Sequence, residues 1–222
     1  MTILIARNKE DLKDFEGIKK FEITNIKAPD ISEVYNLGQE IEDQELRALF
    51  YFIYLTSGRI SEVLQVSKSD IRDINKNGHH FKEITLINLK NKKKHTKITV
   101  IPIDNEYEQK MWAEIQQFVD HSFDNQPLFP NYRNRTEVWN LLSKYSFKNL
   151  KVLNPVTKKF YLFDVKVHPH LLRHFRLTHL VTLYNVNINS LQEIAGWSST
   201  NVASIYIALS GEDLINQFNL KT

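Results

Sequence analysis

Between residues 81 and 103 the apolar pattern of the chain changes period. FKEITLINL (81–89) and KITVIPI (97–103) are rich in β-branched residues and read as two strands. On either side, apolar residues recur at helical spacing. Leu46, Leu49, Phe50, Ile53 and Tyr54 form one stripe, ended by Ser57 and Gly58, and RISEVLQV (59–66) reads as a second helix directly after it. Tyr107, Met111, Ile115, Phe118 and Val119 form another stripe beyond the strands. The chain is therefore expected to fold as a mainly α-helical α+β domain with a small antiparallel β-hairpin or sheet set between helices.

The turn of that hairpin, KNKKKHTK (90–97), carries five lysines and a histidine and no acid. A solvated loop and a phosphate-contacting loop are both consistent with such a run. The chain as a whole is less one-sided, with a net charge of +3, 42% hydrophobic and 25% charged residues. There is no cysteine, which excludes disulfides, thiolate metal sites and cysteine nucleophiles, and fits an intracellular protein. No apolar run is long enough for a transmembrane helix, and the N-terminus has too short an apolar stretch for a secretory signal, so no membrane partner is expected.

Residues 1–38 are rich in Lys, Glu and Asp, with weak periodicity and a KAPD turn at 27–30. They read as an N-terminal extension or linker remnant with one short strand, and residues 39–222 as the main domain. Past the hairpin, Val138, Leu141, Leu142 and Tyr145 suggest a helix in a less regular region, and KFYLFDVKV (159–167) a short extended segment. SLQEIAGW (190–197) and NVASIYIAL (201–209) read as two short helices before a tail, residues 210–222.

HPHLLRHFRLTHL (168–180) gathers four of the eight histidines in one helical segment, with Pro169 suited to its first turn. His170 and His174 have the i, i+4 spacing of a zinc-protease helix, but Leu171 stands where that motif needs Glu, so no metal is expected. His174 and His179 suit hydrogen bonds within a core. Arg173 does not, because a buried guanidinium needs a partner and no acid lies nearby in sequence; a phosphodiester would supply one. Arg59 opens a helix beside unpaired backbone N–H groups that also favour an anion, with Glu62 at i+3 as an alternative partner. Trp197 and Tyr206, taken alone, are packing residues.

Taken together, these segments resemble the tyrosine recombinase (phage integrase) family. LTSGRISEVLQVSKSDI (55–71) is similar to the family's segment around its first arginine, and residues 84–103 look like its lysine-bearing hairpin. HPHLLRHFRLTHL carries an H-x-L-R-H pattern. LQEIAGWSSTNVASIYIAL (191–209) looks like the segment ending in the nucleophilic tyrosine. The likeness spans about residues 40–209. TSGR departs from the usual wording, since a bulkier residue commonly precedes the arginine.

The resemblance implies a site-specific recombinase or integrase that cleaves and rejoins DNA through a 3′-phosphotyrosine intermediate. It assigns Arg59 and Arg173 as the arginine pair, His170 as the catalytic histidine, Trp197 at a position more often histidine, and Tyr206 as nucleophile. The hairpin lysine is ranked Lys90, then Lys92, while counting back from Pro102 favours Lys94. Lys92, Lys93 and Lys94 are candidate DNA contacts. No cofactor is implied. The implied partners are double-stranded DNA, further copies of the chain assembled as a tetramer on it, and accessory DNA-bending proteins, in the cytoplasm or nucleoid of a prokaryotic host. A type IB topoisomerase and a non-catalytic DNA-binding relative are the alternatives.

Overall fold

The computed structural model describes residues 4–5, 13–15, 18, 22–88, 95–103, 105–199, 201–203 and 206. Lys90, Lys92, Lys93, Lys94 and the tail from residue 210 lie outside the described residues. The helices are α1 (Ile31–Gln39), α2 (Gln44–Thr56), α3 (Ile60–Val63), α4 (Glu106–His121), α5 (Arg135–Leu142), α6 (Pro169–Thr182) and α7 (Ile188–Ala195). The strands are β1 (Leu4–Ile5), β2 (Ile71–Lys76), β3 (His79–Asn88), β4 (His95–Pro102), β5 (Ser146–Leu153) and β6 (Phe160–Lys166).

Most helices begin where a short polar side chain takes an otherwise unpaired N–H. Asp43 caps α2 through the Leu46 N–H (2.7 Å), Asn105 caps α4, Asn134 caps α5 and Asn187 caps α7. α2 is buried on every side from Leu46 onward, apart from Arg47, which marks it as the central helix. It packs against α1, α4 and α6. Tyr51 reaches back across Gly38 of α1, where an added Cβ would lie 2.3 Å from the ring, so the crossing of α1 and α2 requires glycine.

Two small antiparallel sheets flank this bundle, in the orders β2-β3-β4 and β1-β6-β5. The hairpin expected at 81–103 is thus the larger part of a three-stranded sheet. β2 joins β3 through Asn77 and Gly78, at φ 54° and 80°, which is the geometry of a tight two-residue turn whose twist suits paired strands. β5 also departs from expectation. Its pairing with β6 slips between Phe147 and Leu150, with Asn149 at φ 56°, so its buried residues Phe147, Leu150 and Val152 do not alternate strictly.

Part of the stretch read as an extension is regular structure. α1 buries Ile31, Val34 and Leu37, and Ile26 just before it is 1% exposed. Ile26 and Pro29 also offer backbone carbonyls to two histidines of α6. His174 Nε2 donates to Ile26 O (2.9 Å), and His179 Nε2 donates to Pro29 O (2.8 Å). Since His179 Nε2 carries the proton, its Nδ1 accepts from the Tyr54 hydroxyl (2.7 Å). Burial pushes both histidines down to about 4, keeping them neutral. Next to them Arg176 pairs with Glu108, both fully buried, and the Tyr184 hydroxyl donates to the other Glu108 oxygen (2.5 Å).

Candidate functional site

Arg59, Arg173, Trp197 and Tyr206 come from distant parts of the chain and meet around the C-terminal end of α7. Arg59 is the residue before α3. Glu62, 1% exposed, holds it twice, accepting from the Arg59 backbone N–H (3.1 Å) and from Nη1 (2.8 Å). Arg59 Nη2 donates to Gly196 O (3.2 Å). Gly58, directly before Arg59, leaves no room for a larger residue, because an added Cβ would lie 2.6 Å from Val63.

Arg173 projects from α6 and is 6% exposed. Among the described residues its partners are carbonyls, not a carboxylate. Nη1 donates to Ser57 O and Nη2 to Ala195 O (2.6 Å). Ser57 presents its carbonyl from a left-handed conformation, φ 48°, that ends α2. Burial first, and the Arg59 charge second, push the Arg173 guanidinium down to about 10, so it remains charged at neutral pH.

α7 ends at Gly196, φ 61°, whose N–H returns to Glu193 O (2.9 Å). Trp197 follows. Its ring lies 5.9 Å from the Arg173 guanidinium carbon and stacks on Tyr206 at 5.4 Å. Tyr206 is 6% exposed, with the His174 ring also at 5.4 Å. Burial pushes the phenol up to about 12, and the Arg173 charge pulls against that. An additional cation or proton acceptor would therefore be needed to ionise it at neutral pH.

His170 is exposed near the start of α6, one turn before Arg173, with its ring edge-on to Trp139 at 6.3 Å. His168 caps that helix through Nδ1, which accepts from the Leu171 N–H (3.2 Å), and it stacks on Trp139 at 4.4 Å. Burial, with smaller contributions from His170 and His174, pushes His168 down to about 4.

The cation missing from the sequence-based ranking is Lys97. It lies on β4 and its side chain is 8% exposed. Its Nζ pairs with Glu62 Oε2 (3.0 Å) and donates to Ile194 O (3.2 Å). Burial and the charges of Arg173 and Arg59 push the ammonium down to about 8, against the pull of Glu62. Burial opposes the charged form of Glu62 as well, but Lys97 and Arg59 outweigh it and hold the carboxyl below its usual range. Strand alternation marks Lys97, which shares an inward face with buried Thr99 and Ile101. The ranking fell on the turn lysines because it was made by position in the hairpin, read forward from the first strand and back from Pro102.

Beside this site, the outer face of α3 and the start of α5 enclose a groove of about 400 Å³ lined by Ser61, Leu64, Gln65, Arg133, Asn134 and Arg135. Among the described residues, no cluster of three or more His, Asp or Glu is arranged to hold a metal ion, and no helix is long and apolar enough to cross a membrane.

Comparison with known proteins supplies the context. No curated protein matches the chain. Among solved structures, the XerH site-specific recombinase aligns with TM-score 0.57 at 18% identity, covering 84% of this chain and 50% of that one. The XerA recombinase aligns with TM-score 0.51 at 18% identity, covering 86% and 60%. The Tn1549 transposon integrase aligns with TM-score 0.52 at 16% identity, covering 88% and 64%. The chain thus spans half to two thirds of the length of these proteins and shares their fold, mainly helical with small antiparallel sheets. The model of the phage integrase family matches residues 25–212, and the chain belongs to that family.

Proposed function

We propose that this chain carries the catalytic unit of a site-specific tyrosine recombinase or integrase, with residues 39–222 as its catalytic domain and residues 1–38 as an N-terminal extension, of which residues 22–38 pack against it. The observation that carries this reading is the convergence of Arg59 and Arg173 on adjacent carbonyls beside the Trp197–Tyr206 stack.

In the reaction, Tyr206 Oη attacks the phosphorus of a DNA phosphodiester. The bond to the 5′ oxygen breaks, leaving a 3′-phosphotyrosine and a free 5′-hydroxyl. Arg59 and Arg173 hold the non-bridging oxygens, where negative charge accumulates, and stay charged throughout. His170 takes the phenol proton, and a hairpin lysine, Lys90 before Lys92, gives a proton to the leaving 5′ oxygen. Trp197 contributes packing and one N–H donor but no proton transfer. A 5′-hydroxyl from another strand then attacks the phosphotyrosine, rejoins the DNA and releases Tyr206, so the bond energy is retained without ATP.

Double-stranded DNA is the partner this chemistry requires. The XerH neighbour is bound to its difH substrate in a post-cleavage complex, and the Tn1549 integrase to a circular-intermediate DNA, which supports the same ligand here. Lys92, Lys93 and Lys94 on the hairpin turn, and Arg133 and Arg135 beside the α3 groove, contact phosphates. Strand exchange calls for a tetramer of this chain on DNA, with accessory DNA-bending proteins, in the cytoplasm or nucleoid of a prokaryotic cell.

The test is covalent trapping on a randomised pool of nicked duplexes. Wild type is expected to form a protein–DNA adduct and Tyr206→Phe none. An adduct persisting in Tyr206→Phe removes Tyr206 as nucleophile, and relaxation of supercoiled plasmid without sequence preference would favour a type IB topoisomerase.

A further inference from the structure

Three consecutive carbonyls close α7, and each accepts from a different cation. Ile194 O accepts from Lys97 Nζ (3.2 Å), Ala195 O from Arg173 Nη2 (2.6 Å) and Gly196 O from Arg59 Nη2 (3.2 Å). The last carbonyls of a helix lack partners within it and lie at the negative end of its dipole, so cations are drawn there. Two of the three cations are the arginine pair. The third comes from the hairpin sheet. Lys97 also holds one oxygen of Glu62 (3.0 Å) while Arg59 holds the other (2.8 Å). One side chain therefore joins β4, the carboxylate that orients Arg59, and the end of the helix that leads to Trp197 and Tyr206.

We propose that Lys97 is a positioning residue for strand cleavage: it ties the end of α7 to the sheet and to Glu62, and so sets how the Trp197–Tyr206 stack faces the arginine pair. This rests on the recombinase reading above. The role requires no contact between Lys97 and the phosphate. Without the ammonium, Glu62 would keep one buried oxygen with only the Arg59 backbone N–H as partner, and Ile194 O would lose its cation. Because Trp197 directly follows Gly196 and stacks on Tyr206, loosening the end of α7 shifts the surface against which the nucleophile is held. The groups facing Lys97 Nζ are Glu62 and Arg59 from the α3 segment, Arg173 from α6 and the Ile194 carbonyl from α7. With the ammonium near 8, the tie is complete below that pH and weakens above it.

The experiment compares the wild-type chain with Lys97→Met and Lys97→Arg. The first measurement is amide exchange in the free protein. The N–H groups of Gly196 and Trp197 bond to Glu193 O (2.9 Å) and Gln192 O (3.1 Å). They are expected to exchange about tenfold faster in Lys97→Met and to recover in Lys97→Arg, with the amides of α2 unchanged as a control for folding. Unchanged exchange at Gly196 and Trp197 overturns the proposal whatever the activity. The second measurement is the rate of adduct formation on duplexes recovered from the trapping pool, where Lys97→Met is expected to be slower by about 100-fold. An unchanged rate overturns the proposal. A substrate with sulfur at the 5′ bridging position needs no proton to leave. Failure of that substrate to rescue Lys97→Met supports positioning, whereas full rescue overturns it and makes Lys97 the proton donor. Absence of any wild-type adduct counts against the recombinase reading, while the exchange result still decides the tie.

Discussion

Arg173 and Tyr206 are equally buried, at 6% exposure each, yet they stand in different apolar surroundings. Arg173 leaves α6 between Leu172 and Phe175, which belong to the large cluster built around α2. Among the described residues, Tyr206 belongs to a smaller cluster with Leu177, Leu180, Val181, Leu191, Ala195 and Ala203. α6 runs from one cluster into the other. The free energy needed to open a region follows the apolar area it buries, so, counted over the described residues, the second cluster is expected to open at lower cost than the first. Among the described residues, the proposed phosphate-binding half of the site thus rests on the larger apolar cluster and the proposed nucleophile on the smaller. The proposed reaction, which must present a tyrosine to one strand and later release it, would be served by that division.

The largest expected effect is on the large cluster. Arg176→Met leaves Glu108 charged and fully buried, and should lower the free energy of unfolding by about 3–5 kcal/mol in urea titration. Acid attacks the same region. His168, His174 and His179 are held near 4, below the ordinary value of about 6.5, so the unfolded chain takes up their protons first. Their contribution is complete above about pH 6.5 and is lost as the pH falls toward 4, by up to about 3 kcal/mol per histidine. Thermal melts by circular dichroism between pH 7 and 4 should show a steep loss, and His179→Gln should flatten it.

Leu191→Ala tests the small cluster. It should cost about 2–3 kcal/mol locally, seen as faster amide exchange through α7, with little change in the global midpoint. An equal loss in the global midpoint would mean that both clusters unfold as one unit, and the contrast drawn above would fail. The smallest effect expected is at the seam. Ser57 is left-handed, and among the described residues its buried hydroxyl has no partner, so Ser57→Gly should stabilise by about 0.5 kcal/mol without displacing the carbonyl that receives Arg173.

Much of this architecture was legible in the sequence because side chains write it. The stripe on α2, the β-branched strands and the H-x-L-R-H segment led to the fold and to the family. Other features were less visible for identifiable reasons. β2 exposes four of its six residues, so its strand pattern is faint, although the Asn77-Gly78 turn announces it. β5 is masked by its own slip in register. α1 was hidden by a polar neighbourhood, its Asp30 and Glu33 capping pair notwithstanding. Lys97 was obscured by four more conspicuous lysines. Arg173 was read correctly as a guanidinium in need of partners, but those partners are Ser57 O and Ala195 O, and no residue type advertises a backbone carbonyl.

The end of α7 therefore constrains evolution in an unusual way. Its three carbonyls have no side-chain identity, so substitutions along the helix can drift while the contacts survive. What they cannot survive is a change of length. One residue inserted or deleted within α7 turns its end by about 100° and advances it by about 1.5 Å, which would break the contacts to Lys97, Arg173 and Arg59 together. In a chain of this kind, the spacing between the Asn187 cap and Gly196 is under tighter selection than the residues that fill it, and gaps, more than mismatches, are what an alignment of functional relatives should avoid there.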